Sequence, residues 1–147
     1  MKKSIILGSI LLSIVGCSAQ PESHTKRFNV HSADFTKASD LELCAVYGKR
    51  ANRSEEAKLE LTKRALFSEV EWKNITNKKV IQGMSVCAVK AAYSIDIKKI
   101  KSSKFKNGNK GLTYIYECKS SSVPFCPYTR VDFVNNKVSG LSKVEKI

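Results

Sequence analysis

Histidine is scarce in this chain, which has two in its 147 residues. His24 and His31 both lie in an N-terminal polar stretch without a helical or strand period. A Ser–His or Cys–His catalytic pair within a folded domain is therefore disfavoured unless this stretch folds back. The chain also lacks a Cys-x-x-Cys motif, a zinc-like Cys/His spacing and a glycine-rich phosphate loop. We therefore expect neither an enzyme nor a protein with a metal or cofactor.

The N-terminal apolar run is too short for a transmembrane helix, which needs about 20 residues. It covers residues 5–15, follows Lys2 and Lys3, and leads into small residues. A basic start, an apolar segment and a small-residue end are the three parts of a secretory signal peptide. The sequence thus predicts export, with residues 1–16 as the signal peptide.

The signal peptide ends in Ile14-Val15-Gly16-Cys17, which resembles a bacterial lipobox. The resemblance implies cleavage before Cys17, a thioether-linked lipid on its sulfur and a palmitate-like acyl chain on its amino group. Ser18, rather than Asp, follows, which in lipoproteins of the enterobacterial kind implies the outer membrane. Residues 17–36 are then the lipidated cysteine and a flexible tether, and residues 37–147 the folded domain. Phe28, Val30 and Phe35 of the tether can dock on that domain. The alternative is an ordinary signal peptide with a chance cysteine.

Helix signals begin after the tether. Ser39 and Glu42 have the spacing of a capping box, and Gly48 is expected to end that first helix. Ser54 can cap a second helix that extends to Phe67. Trp72 and Ile75 follow in a charged connector, where Trp72 is expected to lock the connector onto the core. Ser85 can cap a third, short helix ending near Tyr93.

After Tyr93 the apolar period changes from helical to alternating, which is typical of strands. A strong turn signal stands at residues 107–111, and alternating segments cover 112–118, 130–133 and 138–144. No internal repeat occurs. Helices followed by a meander predict an α+β fold, with N-terminal helices packed on a three- to four-stranded antiparallel sheet.

The cysteines other than Cys17 are even in number, which in an oxidising compartment indicates two disulfides among three possible pairings. Cys118 and Cys126 flank a loop between adjacent predicted strands, so we expect them to pair. Cys44 and Cys87 would then join the first helix to the third, each from an apolar face. The alternative is that all four remain reduced and buried.

A family resemblance rests on Gly83-Met84-Ser85 before a short helix, an aromatic strand–turn–strand, and Phe133, Asn135 and Val138 near the end. This pattern resembles the SmpA/OmlA, or BamE-like, domain of small outer-membrane lipoproteins, over roughly residues 39–142. The resemblance implies an α+β domain that acts as an accessory or scaffolding module for envelope proteins, without catalysis.

Positive charge is the remaining feature, since the formal net charge is +13. A chain this basic is attracted to polyanions, and export favours anionic lipid over nucleic acid. A lysine cluster falls on a predicted β-hairpin: Lys98, Lys99, Lys101, Lys104, Lys106 and Lys110. It can be a solvated edge that discourages strand aggregation, or a contact site for phospholipid headgroups or an acidic protein.

The sequence therefore leaves three functional hypotheses. The first is a lipid-anchored, periplasm-facing outer-membrane lipoprotein that binds envelope proteins or anionic lipid. The second is a periplasmic inhibitor or immunity protein that binds an enzyme or a toxin, for which a small disulfide-tied domain is suited. The third is a domain that binds cell-wall glycan.

Overall fold

The fold is α+β, as the sequence predicts: helices come first and an antiparallel meander follows. The computed structural model describes residues 28–118 and 127–147. Its helices are α1 (Asp40–Lys49), α2 (Ser54–Lys63), α3 (Glu69–Thr76) and α4 (Val86–Tyr93). Its strands are β1 (Ile97–Lys104), β2 (Lys110–Tyr116), β3 (Tyr128–Val134) and β4 (Lys137–Val144), in the spatial order β1-β2-β3-β4. No helix among the described residues is long and apolar enough to cross a membrane.

The predicted capping box starts α1. The Ser39 N–H donates to the Glu42 carboxylate at 2.8 Å, and the Glu42 N–H donates back to Ser39 Oγ at 3.4 Å. The predicted end at Gly48 is wrong, because the helix continues to Lys49 and closes at Arg50, which takes a left-handed conformation with φ of 52°. Gly48 instead serves packing, since it lies against the backbone of α4 at Lys90.

Both predicted ends of α2 differ from the structure. Ser54 is the first helical residue rather than the cap, and the preceding Arg53 has a φ of 63° with no side-chain cap. The helix ends at Lys63, and Ala65 with φ of 51° redirects the chain. This turn lets Phe67 enter the core instead of continuing along the helix.

The predicted connector contains a helix that the sequence analysis missed, α3. Ser68 and Glu71 form a second capping box, with N–H···O distances of 3.1 and 3.2 Å. Trp72 does hold this segment on the core, as predicted. Its ring packs edge-on against Phe67 and Tyr47, with centroids 5.1 and 5.6 Å away.

The start of α4 is joined to the sheet. Ser85 caps the helix as predicted, accepting from the Ala88 N–H at 3.1 Å. Just before it, the Gly83 N–H donates to the Val138 carbonyl at 2.9 Å, and the Val138 N–H donates to the Met84 carbonyl at 2.8 Å. These bonds fix the N-terminus of α4 beside the first residues of β4.

The core lies between the helices and the sheet face that carries Tyr114, Tyr116, Val131 and Phe133. Side chains of all four helices contribute to it, and its largest fully buried members are Phe133, Leu43, Leu61, Ile75, Met84 and Val89. The helices therefore cover one face of the sheet, and the hydrophobic effect of that burial holds the two layers together.

The predicted disulfide between Cys44 and Cys87 is confirmed, and it joins α1 to α4. Cys118 is also disulfide-bonded. Its predicted partner Cys126 lies outside the described residues, as does Cys17.

Part of the segment that the sequence assigns to the tether packs on the helices. Phe35 is 3% exposed and stacks on Phe28 at a centroid distance of 6.2 Å. Arg53 Nη1 donates to the carbonyls of Val30 and Ala33 at 2.6 and 2.9 Å, and its guanidinium lies 4.0 Å above the Phe35 ring. The core thus includes residues on the N-terminal side of the predicted boundary at residue 37.

Candidate functional site

Positive charge is unevenly divided between the two layers. Residues 28–96, which we call the helical half, contain 11 basic and 9 acidic residues. The described residues 97–118 and 127–147, which we call the sheet half, contain 10 basic and 3 acidic residues. The sheet half is therefore the part of the described fold that attracts an anionic partner most strongly.

The arginines of the helical half serve the fold. Arg50 Nη2 donates to the Ile75 carbonyl at 3.1 Å, and its guanidinium lies 3.7 Å above the Tyr47 ring. Arg64 binds Asp40 at 2.8 Å and Glu60 at 2.9 Å, and hydrogen bonds to these two carboxylates raise its pKa. Because their donors are directed at the protein's own oxygens, these side chains are not available to a partner.

The six lysines singled out by the sequence share one hairpin, as predicted. We call residues 97–116, comprising β1, β2 and the turn between them, the lysine hairpin. Among the described strands, β1 lies at the edge of the sheet and pairs with β2 alone. The six lysines Lys98, Lys99, Lys101, Lys104, Lys106 and Lys110 are all exposed. The hairpin therefore presents six ammonium groups to solvent.

Within the described part of the chain, most of these lysines lack an acidic neighbour. Lys98 Nζ lies 3.7 Å from Glu117 Oε1 in an exposed ion pair. Among the described residues, no carboxylate pairs with any of the other five lysines. By contrast, Arg130 of β3 is engaged by Asp132, with Nε 2.9 Å from Oδ2. The hairpin therefore carries charge that the described part of the fold leaves uncompensated.

The strand register divides the hairpin between two faces of the sheet. Directly paired residues share a face, and Tyr114 and Tyr116 face the helical core. Lys99 and Lys101 pair with Ile115 and Thr113, so they project from the opposite face. Two lysines thus lie on a surface that no described helix covers.

The tip of the hairpin is closed by its own hydrogen bonds. The Phe105 N–H donates to the Asn109 carbonyl at 2.9 Å, and the Gly108 N–H donates to the Phe105 carbonyl at 3.0 Å. The Asn109 N–H donates to Asn107 Oδ1 at 3.1 Å. Gly108 has a φ of 84°, which a residue without a Cβ adopts at no steric cost. These bonds define one conformation for the turn.

A second turn supports this tip. Asn135, in the turn between β3 and β4, accepts from the Lys110 N–H at 3.0 Å through Oδ1. Its Nδ2 donates to Asn109 Oδ1 at 3.1 Å, and its own N–H donates to the Lys110 carbonyl at 2.9 Å. The lysines near the tip therefore stand on a braced frame rather than on a free loop.

A separate surface cleft offers fewer features of a ligand-binding site. A cleft of about 270 Å³ is lined by Tyr93, Asp96, Tyr116, Glu117 and Thr129. Burial raises the pKa of Tyr116, and its hydroxyl has no hydrogen-bond partner among the described residues. The acids of this cleft already lie near Lys49 and Lys98. No group of His, Cys, Asp and Glu among the described residues could hold a metal ion.

Comparison of the chain with family models, curated proteins and solved structures gave no match. The candidate site therefore rests on its own geometry. The six lysines of this site were predicted from the sequence, whereas Phe105 and the contacts of Asn135 with the hairpin tip were not. The run Lys104-Phe105-Lys106 directly before the turn signal could have indicated Phe105. Asn135 belongs to the family resemblance, but no local pattern indicates its contacts with the hairpin tip, because its partners are 25 and 26 positions away in the chain.

Proposed function

We propose that this protein is a non-enzymatic lipoprotein of the bacterial outer membrane whose lysine hairpin contacts anionic lipid headgroups at the periplasmic face. It would act there as an accessory module that keeps its domain against the membrane beside envelope proteins. The observation that carries the proposal is the set of five exposed lysines without an acidic neighbour among the described residues. The lipobox and BamE-like resemblances support the location and the accessory role.

The binding free energies of a lipid anchor and a basic patch suit attachment by both together. A lysine held near an anionic membrane contributes about 1 kcal/mol. One acyl signal alone gives weak attachment, and a basic patch is a recognised second signal. An anchor at Cys17 and the lysine hairpin would therefore reinforce each other.

The start of the described chain is well placed for this arrangement. Phe28 lines the same cleft as Ile95, which lies two residues before β1. A chain from Cys17 to Phe28 can extend about 36 Å, at about 3.3 Å per residue. The eight residues of β1 span about 26 Å at the same rise. An anchor at Cys17 thus has enough chain to let the whole hairpin reach a membrane surface.

Lipidation of Cys17 is tested by the mass of the protein purified from bacterial membranes. We expect a chain that begins at Cys17 and carries a thioether-linked diacylglycerol and an amide-linked acyl chain. The Cys17→Ala variant should carry neither lipid. A parent protein with an unmodified Cys17, or one cut at another site, would contradict the proposed anchor.

Charge reversal tests the lipid contact. In the unacylated chain without residues 1–17, Lys99→Glu combined with Lys101→Glu should weaken binding to vesicles of phosphatidylethanolamine and phosphatidylglycerol at least about thirtyfold. Two favourable lysine contacts are lost and two repulsions are introduced. Vesicle co-sedimentation at low salt measures the effect, which added salt should reduce.

The matched control reverses Lys78 and Lys79, two exposed lysines of the helical half. This pair makes the same change in net charge, so its binding should remain close to that of the parent. Equal loss in both variants would show attraction by net charge alone. Unchanged vesicle binding in the hairpin variant would show that the lysines form a solvated edge and do not contact lipid. In a separate test, high-affinity recovery of one hydrolase or toxin from envelope extracts would favour the inhibitor hypothesis.

A further inference from the structure

An exposed aromatic side chain stands at the tip of the lysine hairpin. Phe105 is 46% exposed and lies between Lys104 and Lys106, both exposed. A half-exposed apolar ring beside the turn of a polar hairpin is not explained by packing in the core. β1, which precedes Phe105, carries another exposed apolar side chain, Ile100, which is 58% exposed. The hairpin therefore combines uncompensated cations with apolar surface.

The position of the Phe105 ring is set by its neighbours. A Cβ placed on Gly111 would stand 3.0 Å from Cε2 of this ring, so the glycine leaves the space that the ring uses. Gly111 pairs with Ser103, and both lie on the sheet face that carries Lys99 and Lys101. The ring and these lysines thus share the surface that no described helix covers.

We propose that this tip enters the interfacial layer of an anionic bilayer, with Phe105 as its apolar anchor and the flanking lysines on the headgroups. This inference rests on the proposed function and specifies how the hairpin meets the lipid. Amphipathic elements bind bilayers by burying apolar side chains at the headgroup boundary while cations remain at the surface. The hydrogen-bonded turn presents Phe105 without a further ordering step.

A lipid surface fits these groups better than a soluble anion. The lysines are spread along the strand and around the tip instead of converging on one point. A free phosphate would use a concave set of donors and would gain nothing from the ring. An extended anionic surface with an apolar layer beneath it uses both features.

Introduced tryptophans test the insertion. We compare Phe105→Trp with Leu59→Trp in the full chain, on phosphatidylethanolamine–phosphatidylglycerol vesicles whose acyl chains carry bromine as a quencher. Leu59, on α2, is 71% exposed and provides the matched position on the helical half. The parent has a single tryptophan, Trp72, packed against Tyr47 and Phe67, so its signal supplies the background.

We expect the tryptophan at 105 to be quenched and blue-shifted, and the one at 59 to match the parent background. In the unacylated chain, Phe105→Ala should weaken vesicle binding about fivefold, and Leu59→Ala should leave it unchanged. Quenching at 105 no greater than at 59 would overturn the insertion. The charge-reversal experiment distinguishes this inference from the proposed function. If vesicle binding depends on the lysines but the tryptophan at 105 is not quenched, the insertion is rejected and the surface contact stands. Circular dichroism confirms that each variant folds.

Discussion

Replacing Cys44 and Cys87 together by alanine is expected to lower the free energy of unfolding by about 4 kcal/mol. The bridge closes a sequence separation of 43 residues, and the chain-entropy relation gives a value of this size for such a loop. Without the bridge, the unfolded chain gains conformations that the parent cannot reach. The folded state also loses two sulfur atoms from the contact between α1 and α4.

Urea unfolding of the parent and the double variant measures this loss, with native near-ultraviolet circular dichroism as the check on the folded state. Both cysteines are replaced because a single variant would leave a thiol able to exchange with the remaining disulfide. The lysine hairpin does not contain either cysteine, so vesicle binding of the folded variant should be unchanged. A loss below about 1 kcal/mol would show that the bridge does not constrain the unfolded chain as the loop length predicts.

Gly48→Ala is expected to destabilise the protein by about 3 kcal/mol, although alanine is the better helix former. The added Cβ would collide with the Lys90 carbonyl oxygen, and it would also stand 3.1 Å from the Ser94 Cα. These are backbone atoms, so no side-chain rotation relieves the collision. α1 and α4 would have to separate, although the Cys44–Cys87 disulfide holds them together.

The matched control is Gly140→Ala on β4, where a new Cβ would meet no atom within 4 Å. We expect that variant to unfold within about 0.5 kcal/mol of the parent, as surface substitutions usually do. Thermal and urea unfolding of both variants provide the comparison. A Gly48→Ala protein as stable as the parent would show that α1 and α4 can move apart freely.

Both predictions concern the contact between α1 and α4, two helices of the helical half. α4 carries Cys87, faces Gly48 through Lys90, and begins beside β4. A change at this contact therefore alters stability without altering the charges of the lysine hairpin. Stability and membrane binding should respond to separate sets of substitutions.

Local patterns predicted much of the fold. The capping box at Ser39, the cap at Ser85 and the pairing of Cys44 with Cys87 are all present in the structure. Each depends on short-range spacing or on which face of a helix a residue occupies. A further capping box at Ser68 and Glu71 has the same local spacing and starts α3.

Long-range contacts account for the differences. Gly48 resembles a helix terminator, yet its neighbour across the helix contact, Lys90, makes it a packing residue within α1. The end of α2 depends on where Phe67 can enter the core. The residue spacing within each helix does not indicate where that helix ends, because its end depends on the neighbouring elements against which the helix packs.

By itself, the sequence determined the α+β order, the apolar helix faces that carry Cys44 and Cys87, and the clustering of lysines on one hairpin, because spacing and periodicity within short segments specify these features. Only the tertiary structure decided that β1 is a sheet edge and that the helical arginines are engaged by the protein's own oxygens. It also decided that Asn135 braces the tip from another turn. These features depend on residues distant in the chain meeting in space, and together they leave the hairpin lysines and Phe105 facing solvent.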